Sequence, residues 1–149
     1  MKIIFDLDGT LADASHRMHH ISGPVKDWDA FYAACVDDKP IMPIVDTYVA
    51  LSDAGADQMN DIEIWTGRSE IVRAETLRWL DNNLYPFGRW QLRMRGAKDR
   101  RPDWQVKEGW LMSLPVDEWP SLVFEDRSQV VAMWRRQGIM CCQVNEGNF

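Results

Sequence analysis

The sequence predicts an α/β protein: a parallel sheet with helices packed on both faces. Two observations carry that expectation. Five short apolar runs alternate with amphipathic helical patterns, the order a parallel sheet requires. Three of the runs end in side chains that carry oxygen: Asp6 and Asp8, then Thr66, then Glu125 and Asp126. Ligand sites in open parallel sheets lie just beyond the carboxyl ends of the strands, so these residues fall where a site belongs.

Taken in order, strands are expected at Lys2–Leu7, Ile62–Thr66, Trp90–Met94, Ser121–Asp126 and Met140–Val144. Helices fill the gaps. Pro43–Ala54 stops at Gly55, a plausible residue for a left-handed helix end. Ser69–Asn82 opens on an N-cap serine and spaces Ile71, Ala74, Leu77 and Leu80 for one buried face. Asp103–Met112 carries Lys107, and Ser128–Gln137 opens on another N-cap serine and stops at Gly138. The result is a Rossmann-like fold spanning residues 1–149 as one domain. Only 14–40 falls outside the rhythm. It contains a short amphipathic helix, Asp27–Cys35, between polar turns. A segment this short is expected to make a small lid or rim over an open site, which suits a large substrate.

The run Ile3–Phe5 leads into Asp6-Leu7-Asp8-Gly9-Thr10. Residues i and i+2 of a strand point to one side, so the two carboxylates can share a space. A calcium loop is the competing reading. It needs a Glu at its twelfth position, and counting from Asp6 that position is Arg17. A metal-assisted carboxylate nucleophile fits the placement better.

These residues resemble the first motif of the haloacid dehalogenase-like (HAD) phosphohydrolases, and the resemblance continues in order along the chain. Ile62-Glu63-Ile64-Trp65-Thr66-Gly67-Arg68 is similar to the second motif, Lys107 to the third-motif lysine, and Leu122–Arg127 to the fourth motif. A narrower likeness joins Glu125–Gly138, Cys142-Gln143-Val144 and Gly147-Asn148-Phe149 to the 3′-phosphatase half of phage polynucleotide kinase–phosphatase. Arg17, Arg68 and Asp103 match substrate-directed residues of that subfamily. Glu125 stands where that relative has Asp; its longer side chain either reaches a metal through water or supports Lys107.

The resemblance implies a HAD fold with a minimal cap and a phosphomonoesterase acting through an aspartyl-phosphate. Asp6 is then the nucleophile, and Asp8 protonates the leaving oxygen. Thr66 and Gly67 hold phosphate oxygens, Lys107 neutralises charge, and Arg17 and Arg68 grip phosphate. The implied cofactor is Mg²⁺, held by Asp6, the Asp8 carbonyl and Asp126, with Glu125 beside them. Oxygen ligands without a nearby histidine or thiol suit that ion. The expected substrate is a phosphorylated nucleotide or a nucleic-acid 3′ end. A nucleotidase acting on free 5′- or 3′-mononucleotides is the alternative. A silent binding module would lack at least one of Asp6, Asp8, Thr66, Lys107 or Asp126, and all are present.

Composition sets the remaining bounds. The chain is 46% hydrophobic and 27% charged, ordinary for a soluble domain able to bury its own core. No run approaches a membrane span and no leader precedes the first strand, so a cytoplasmic setting is expected. Three cysteines, two of them adjacent, read as reduced core residues. No P-loop pattern occurs, so no kinase half lies in this sequence. The net charge of −6 argues against a broad nucleic-acid footprint. Even so, Arg89, Arg93, Arg95, Lys98, Arg100, Arg101 and Lys107 face only Asp99 and Asp103 in their stretch. That stretch is either a solvated loop or a phosphate-facing lip. His16, His19 and His20 lack zinc-spaced partners and read as exposed lid residues. Trp65, Trp79, Trp110 and Trp134 read as core, while Trp28 and Trp104 are candidates to stack on a base.

Overall fold

The computed structural model describes residues 1–54, 61–84 and 90–147. The helix-ending role expected of Gly55, and the positions of Arg89, Asn148 and Phe149, lie outside the described residues. Five strands form one parallel sheet: β1 (Lys2–Phe5), β4 (Asp61–Ser69), β5 (Gln91–Arg95), β6 (Leu122–Arg127) and β7 (Met140–Gly147), in the order β5-β4-β1-β6-β7. Two short strands, β2 (Ala12–Asp13) and β3 (Lys39–Pro40), pair antiparallel at the two ends of the 14–40 segment. The helices are α1 (Trp28–Ala33), α2 (Met42–Ala54), α3 (Arg73–Asn83), α4 (Asp103–Met112) and α5 (Ser128–Arg136).

The alternation of strand side chains divides the core in two. Ile3 and Phe5 point to one face with Val45 and Tyr48 of α2 and Trp79 and Leu80 of α3. Ile4, Trp65 and Val123 point to the other, against Leu111 of α4 and Val130 and Trp134 of α5. Nearly continuous apolar strands are what a sheet covered on both faces demands. Trp65, Trp79 and Trp134 are buried as expected, and Trp110 packs edge-on against Trp65 at 5.6 Å.

Three local expectations need correction. Ser69 does cap a helix, but a 3₁₀ turn over Glu70–Val72; α3 starts only at Arg73. Ile71 therefore leaves the buried face and is 69% exposed. Ser128 is the first helical residue of α5 rather than its cap, and its hydroxyl accepts from Gln143 Nε2 at 3.1 Å.

Two of the strands that end at the site, β4 and β6, lose register there. β4 slips against β5 between Thr66 and Ser69, and β6 slips against β7 between Glu125 and Arg127. Such irregularities re-aim side chains at sheet ends. After β1 the chain turns tightly: Leu11 and Ala12 N–H groups both donate to the Leu7 carbonyl, and Gly9 takes a φ of 86°. That turn keeps Asp6 and Asp8 at the mouth of the sheet.

Candidate active site

Asp6, Glu125 and Asp126 place carboxylate oxygens within 4.8 Å of one another. Asp6 and Asp126 come from adjacent strand ends, with Asp6 N–H donating to the Phe124 carbonyl at 2.9 Å. Lys107, from the middle of α4, enters this cluster fully buried. Its Nζ donates to Asp6 Oδ1 at 2.5 Å and to Glu125 Oε2 at 2.7 Å, and lies 3.4 Å from Asp103 Oδ2. Glu125 thus supports Lys107 directly; its other oxygen accepts from the Arg127 N–H at 3.2 Å.

The electrostatics follow from burial. Desolvation, and then the Glu125 charge, push the Asp6 carboxyl well above its usual range, against the pull of Lys107. Desolvation and then Asp6 push Asp126 up to about 7. Desolvation also raises Glu125 to about 7, with Lys107 opposing. Lys107 is raised as well, for the opposite reason: burial would lower it, but the charges of Asp103, Asp6 and Glu125 prevail. One ammonium cannot balance three clustered carboxylates. Asp126 Oδ1, moreover, is buried without a hydrogen-bond partner. A Cβ at either Gly9 or Gly147 would collide with the Asp126 carboxylate, so two glycines cup that group. An orphaned acid oxygen in a charge-deficient oxygen cluster fits a hard divalent cation.

Asp8 has a different neighbourhood. Its Oδ1 accepts from Arg17 Nη2 at 2.7 Å and from Arg68 Nε and Nη2 at 2.8 and 2.6 Å. Burial alone would raise its pKa; the Arg68 and Arg17 charges outweigh that and hold it below the ordinary carboxylate range. Its carboxylate is therefore outside the acid cluster, leaving only its backbone carbonyl for the metal role expected of it.

Both arginines are buried, and both also meet Asp38. Arg17 donates to its two oxygens at 2.7 Å each, and Arg68 Nη2 donates to Oδ2 at 2.5 Å. His16 Nε2 lies 2.8 Å from Asp38 Oδ1, so this lid histidine is partnered rather than merely solvated. Asp38 is the site-forming residue that the sequence reading missed. Arg68 Nη1 remains buried with no hydrogen-bond partner.

Thr66 is buried, and its Oγ1 accepts from the Arg68 N–H at 3.1 Å. Gly67 faces Asp103 so closely that a Cβ there would sit 2.5 Å from Asp103 Oδ1. Asp103 is buried between Lys107 and Arg95, whose Nη2 lies 3.1 Å away. Arg95 also donates to the Gly67 carbonyl at 2.9 Å and to the Arg101 carbonyl at 2.5 Å. Much of the basic stretch is thus structural. Arg95 latches the Thr66–Gly67 turn, Arg93 lies 4.8 Å over the Trp65 ring, and Arg101 pairs with Asp99 at 2.6 Å. Among the described residues, Lys98 and Arg100 make no ion pair, and Arg100 lines the cleft.

A cleft of about 900 Å³ opens over Asp6, Asp8 and Gly67. One wall is the 14–40 segment, including Trp28 and Tyr32; the other runs from Arg95 to Asp103. Trp104, by contrast, packs at the edge of the second core.

The fold and this strand-end cluster define a HAD-type phosphatase. Over residues 1–149 the sequence matches the polynucleotide kinase PNKP phosphatase domain, and the chain belongs to that family. A chain of the Pnkp1/Rnl/Hen1 complex is similar at 30% identity and TM-score 0.74, covering 99% of this chain and 47% of its own. A chain of the Pnkp1/Rnl/Hen1 RNA repair complex is similar at 29% identity and TM-score 0.74, covering 99% of this chain and 43% of its own. The present chain thus spans less than half the length of either. A haloacid dehalogenase-like hydrolase from Streptococcus pneumoniae shares the fold at 16% identity and TM-score 0.58, over 95% of this chain and 83% of its own. No described helix is long and apolar enough to cross a membrane.

Proposed function

We propose that this phosphatase removes 3′-phosphates from nucleic-acid ends or nucleotides through an aspartyl-phosphate on Asp6. The observation that carries the reading is the pairing of two clusters at one strand end. Asp6 sits with Lys107, Glu125 and Asp126, while two residues on Asp8 is gripped by two arginines. The RNA repair setting of a similar chain supports nucleic-acid ends as the substrate.

An Asp6 carboxylate oxygen attacks phosphorus, the bond to the 3′ oxygen breaks, and the phosphoryl group rests on Asp6. Lys107 balances charge on the attacked group, and the Thr66 hydroxyl and Gly67 N–H take phosphate oxygens. A phosphate dianion competes with Asp8 and Asp38 for Arg17 and Arg68. As the guanidiniums turn to phosphate, Asp8 loses the charges that keep it ionised and can carry the proton that the leaving oxygen needs. It then takes a proton from the water that cleaves the aspartyl-phosphate. Asp6, Asp126 and the Asp8 carbonyl would hold Mg²⁺, which supplies charge neutralisation and orientation of the phosphate. The 14–40 segment serves as a small rim rather than a closing cap.

The test is phosphate release, with and without Mg²⁺, from a 3′-phosphorylated oligonucleotide, a 3′-mononucleotide and a 5′-mononucleotide. The oligonucleotide is expected to be preferred, and Asp6→Asn to lose on the order of 10⁴ or more in kcat, as nucleophile removals do. A second reading, a nucleotidase of free mononucleotides, is favoured by the net charge of −6. Preference for a mononucleotide would establish it instead.

A further inference from the structure

The wall of the cleft opposite the basic loop has a chemistry the phosphate site does not need. Trp28 and Tyr32, at i and i+4 of α1, lie on one helix face. Their ring planes are 29° apart with centroids at 6.0 Å. Trp28 is 41% exposed and both rings line the cleft that holds Asp6 and Asp8. The helix beneath them is fixed. Asp27 caps it by accepting from the Ala30 N–H at 2.9 Å. Phe31, buried, lies under the Arg17 guanidinium at 4.2 Å, and Arg17 Nη1 donates to its carbonyl at 3.3 Å. The rings are therefore held in place by the same arginine that grips Asp8.

We infer that the Trp28–Tyr32 face is a stacking platform for the base of the nucleotide whose phosphate is removed. The inference rests on the nucleotide-end reading above and adds how that end is recognised. The occupant must join a phosphate, for the Asp6 end of the cleft, to a flat ring, for the aromatic wall; a nucleotide does so in one molecule. Charge holds its phosphate end, at Arg17 and Arg68, and leaves the base to the walls. On the walls the charges largely offset one another: Lys26 stands with Asp27 and Asp29, and Arg95, Arg100 and Arg101 stand with Asp99 and Asp103. Recognition of the base then falls to stacking, which tolerates any base because each has a π face. The Lys26 ammonium lies 5.5 Å from the centroid of the Trp28 ring, which stays 41% exposed beside it.

The experiment measures kcat and KM on two 3′-phosphorylated single strands, one with a normal terminal nucleotide and one whose terminal residue is abasic. Wild type is compared with Trp28→Ala, Trp28→Leu and Trp28→Phe. On the base-bearing end, Ala and Leu are expected to raise KM roughly ten- to a hundredfold at near-constant kcat, the scale of one lost stack. Phe is expected to restore most of the loss. On the abasic end the wild type should show the same rise, and the Ala and Leu variants nothing further. Equal losses on both substrates would make Trp28 a structural residue and overturn the proposal. So would an unchanged KM in Trp28→Ala and Trp28→Leu when the wild type still prefers the base-bearing end; that result leaves the phosphatase reading intact. Absence of turnover on every 3′-phosphorylated strand by the wild type would instead remove the nucleotide-end reading, and the platform with it.

Discussion

Replacing Asp38 tests whether the buried arginine cluster is a structural unit. The Asp38 carboxylate has no exposed side-chain surface and holds three guanidinium hydrogen bonds of 2.5–2.7 Å, with His16 at 2.8 Å. Two guanidiniums face two carboxylates, so the cluster is balanced only with Asp38 present. Truncating one member of a buried ion pair costs about 3–5 kcal/mol, because the other charge stays buried and uncompensated. Asp38→Ala is therefore expected to lose about 3–5 kcal/mol, a large share of the ~5–15 kcal/mol that domains possess. Asp38→Asn keeps the shape but turns an NH₂ group toward a guanidinium, and should recover little. Urea unfolding of the wild type and both variants at neutral pH gives the numbers. A loss below about 1 kcal/mol in Asp38→Ala, the range of exposed pairs, would refute the idea that these charges depend on Asp38.

The remaining expectations concern packing, thiols and pH. Gly67→Ala puts a methyl group 2.5 Å from Asp103 Oδ1 and should cost about 1–3 kcal/mol by overpacking, with lower activity; an unchanged Tm would show that Asp103 can move aside. Cys142 is exposed, whereas Cys35 and Cys141 are buried and the Cys141 thiol is pushed up to about 12 by burial. A thiol reagent should label Cys142 quickly and the other two only after unfolding, and mass spectrometry of the native protein showing fast labelling of either buried thiol would contradict this. Burial would raise Glu63, but hydrogen bonds from Lys2 and Trp65 hold it below its usual value. A carboxyl depressed in the folded state stabilises above its unfolded pKa and loses that contribution as pH falls through the folded one. The destabilisation by Glu63→Gln should thus be full at pH 7 and shrink below roughly pH 4, given an ordinary Glu pKa of about 4.3. A penalty that stays constant to acid pH would assign the residue a packing role only.

What could be read from the sequence was what local pattern encodes. An apolar run ending in acids places those acids at the mouth of a sheet, and Asp6, Glu125 and Asp126 are found together there. Residues whose surroundings are assembled by distant contacts were harder. The Arg89–Lys107 stretch read as either a solvated loop or a phosphate-facing lip, yet the alternation in Gln91-Leu92-Arg93-Met94-Arg95 already separates its members. Leu92 and Met94 are buried on one face of β5, which sends Arg93 and Arg95 together to the other, toward Trp65 and the Gly67 carbonyl. Period two separates Arg93 and Arg95 from the buried face; that Arg95, in the cleft wall, also latches the Gly67 carbonyl is set by a contact across strands. Asp38 offers no such signal. It stands beside Asp37, identical in chemistry, and nothing local says which of the two turns inward. The choice follows from the pairing of Lys39 with Asp13, which orients the chain end of the 14–40 segment, and from the Trp79 indole, whose Nε1 donates to the Asp38 carbonyl at 2.7 Å. Asp37 is left in solvent, and Asp38 meets two arginines, Arg17 from the opposite end of that segment and Arg68 from β4. Because Asp38 and Arg17 both belong to the 14–40 segment, that rim is bound to the strand-end acids by charge. Arg17, which pairs with Asp8 and Asp38, also lies over the Phe31 ring and donates to the Phe31 carbonyl, so one side chain ties α1 to those acids.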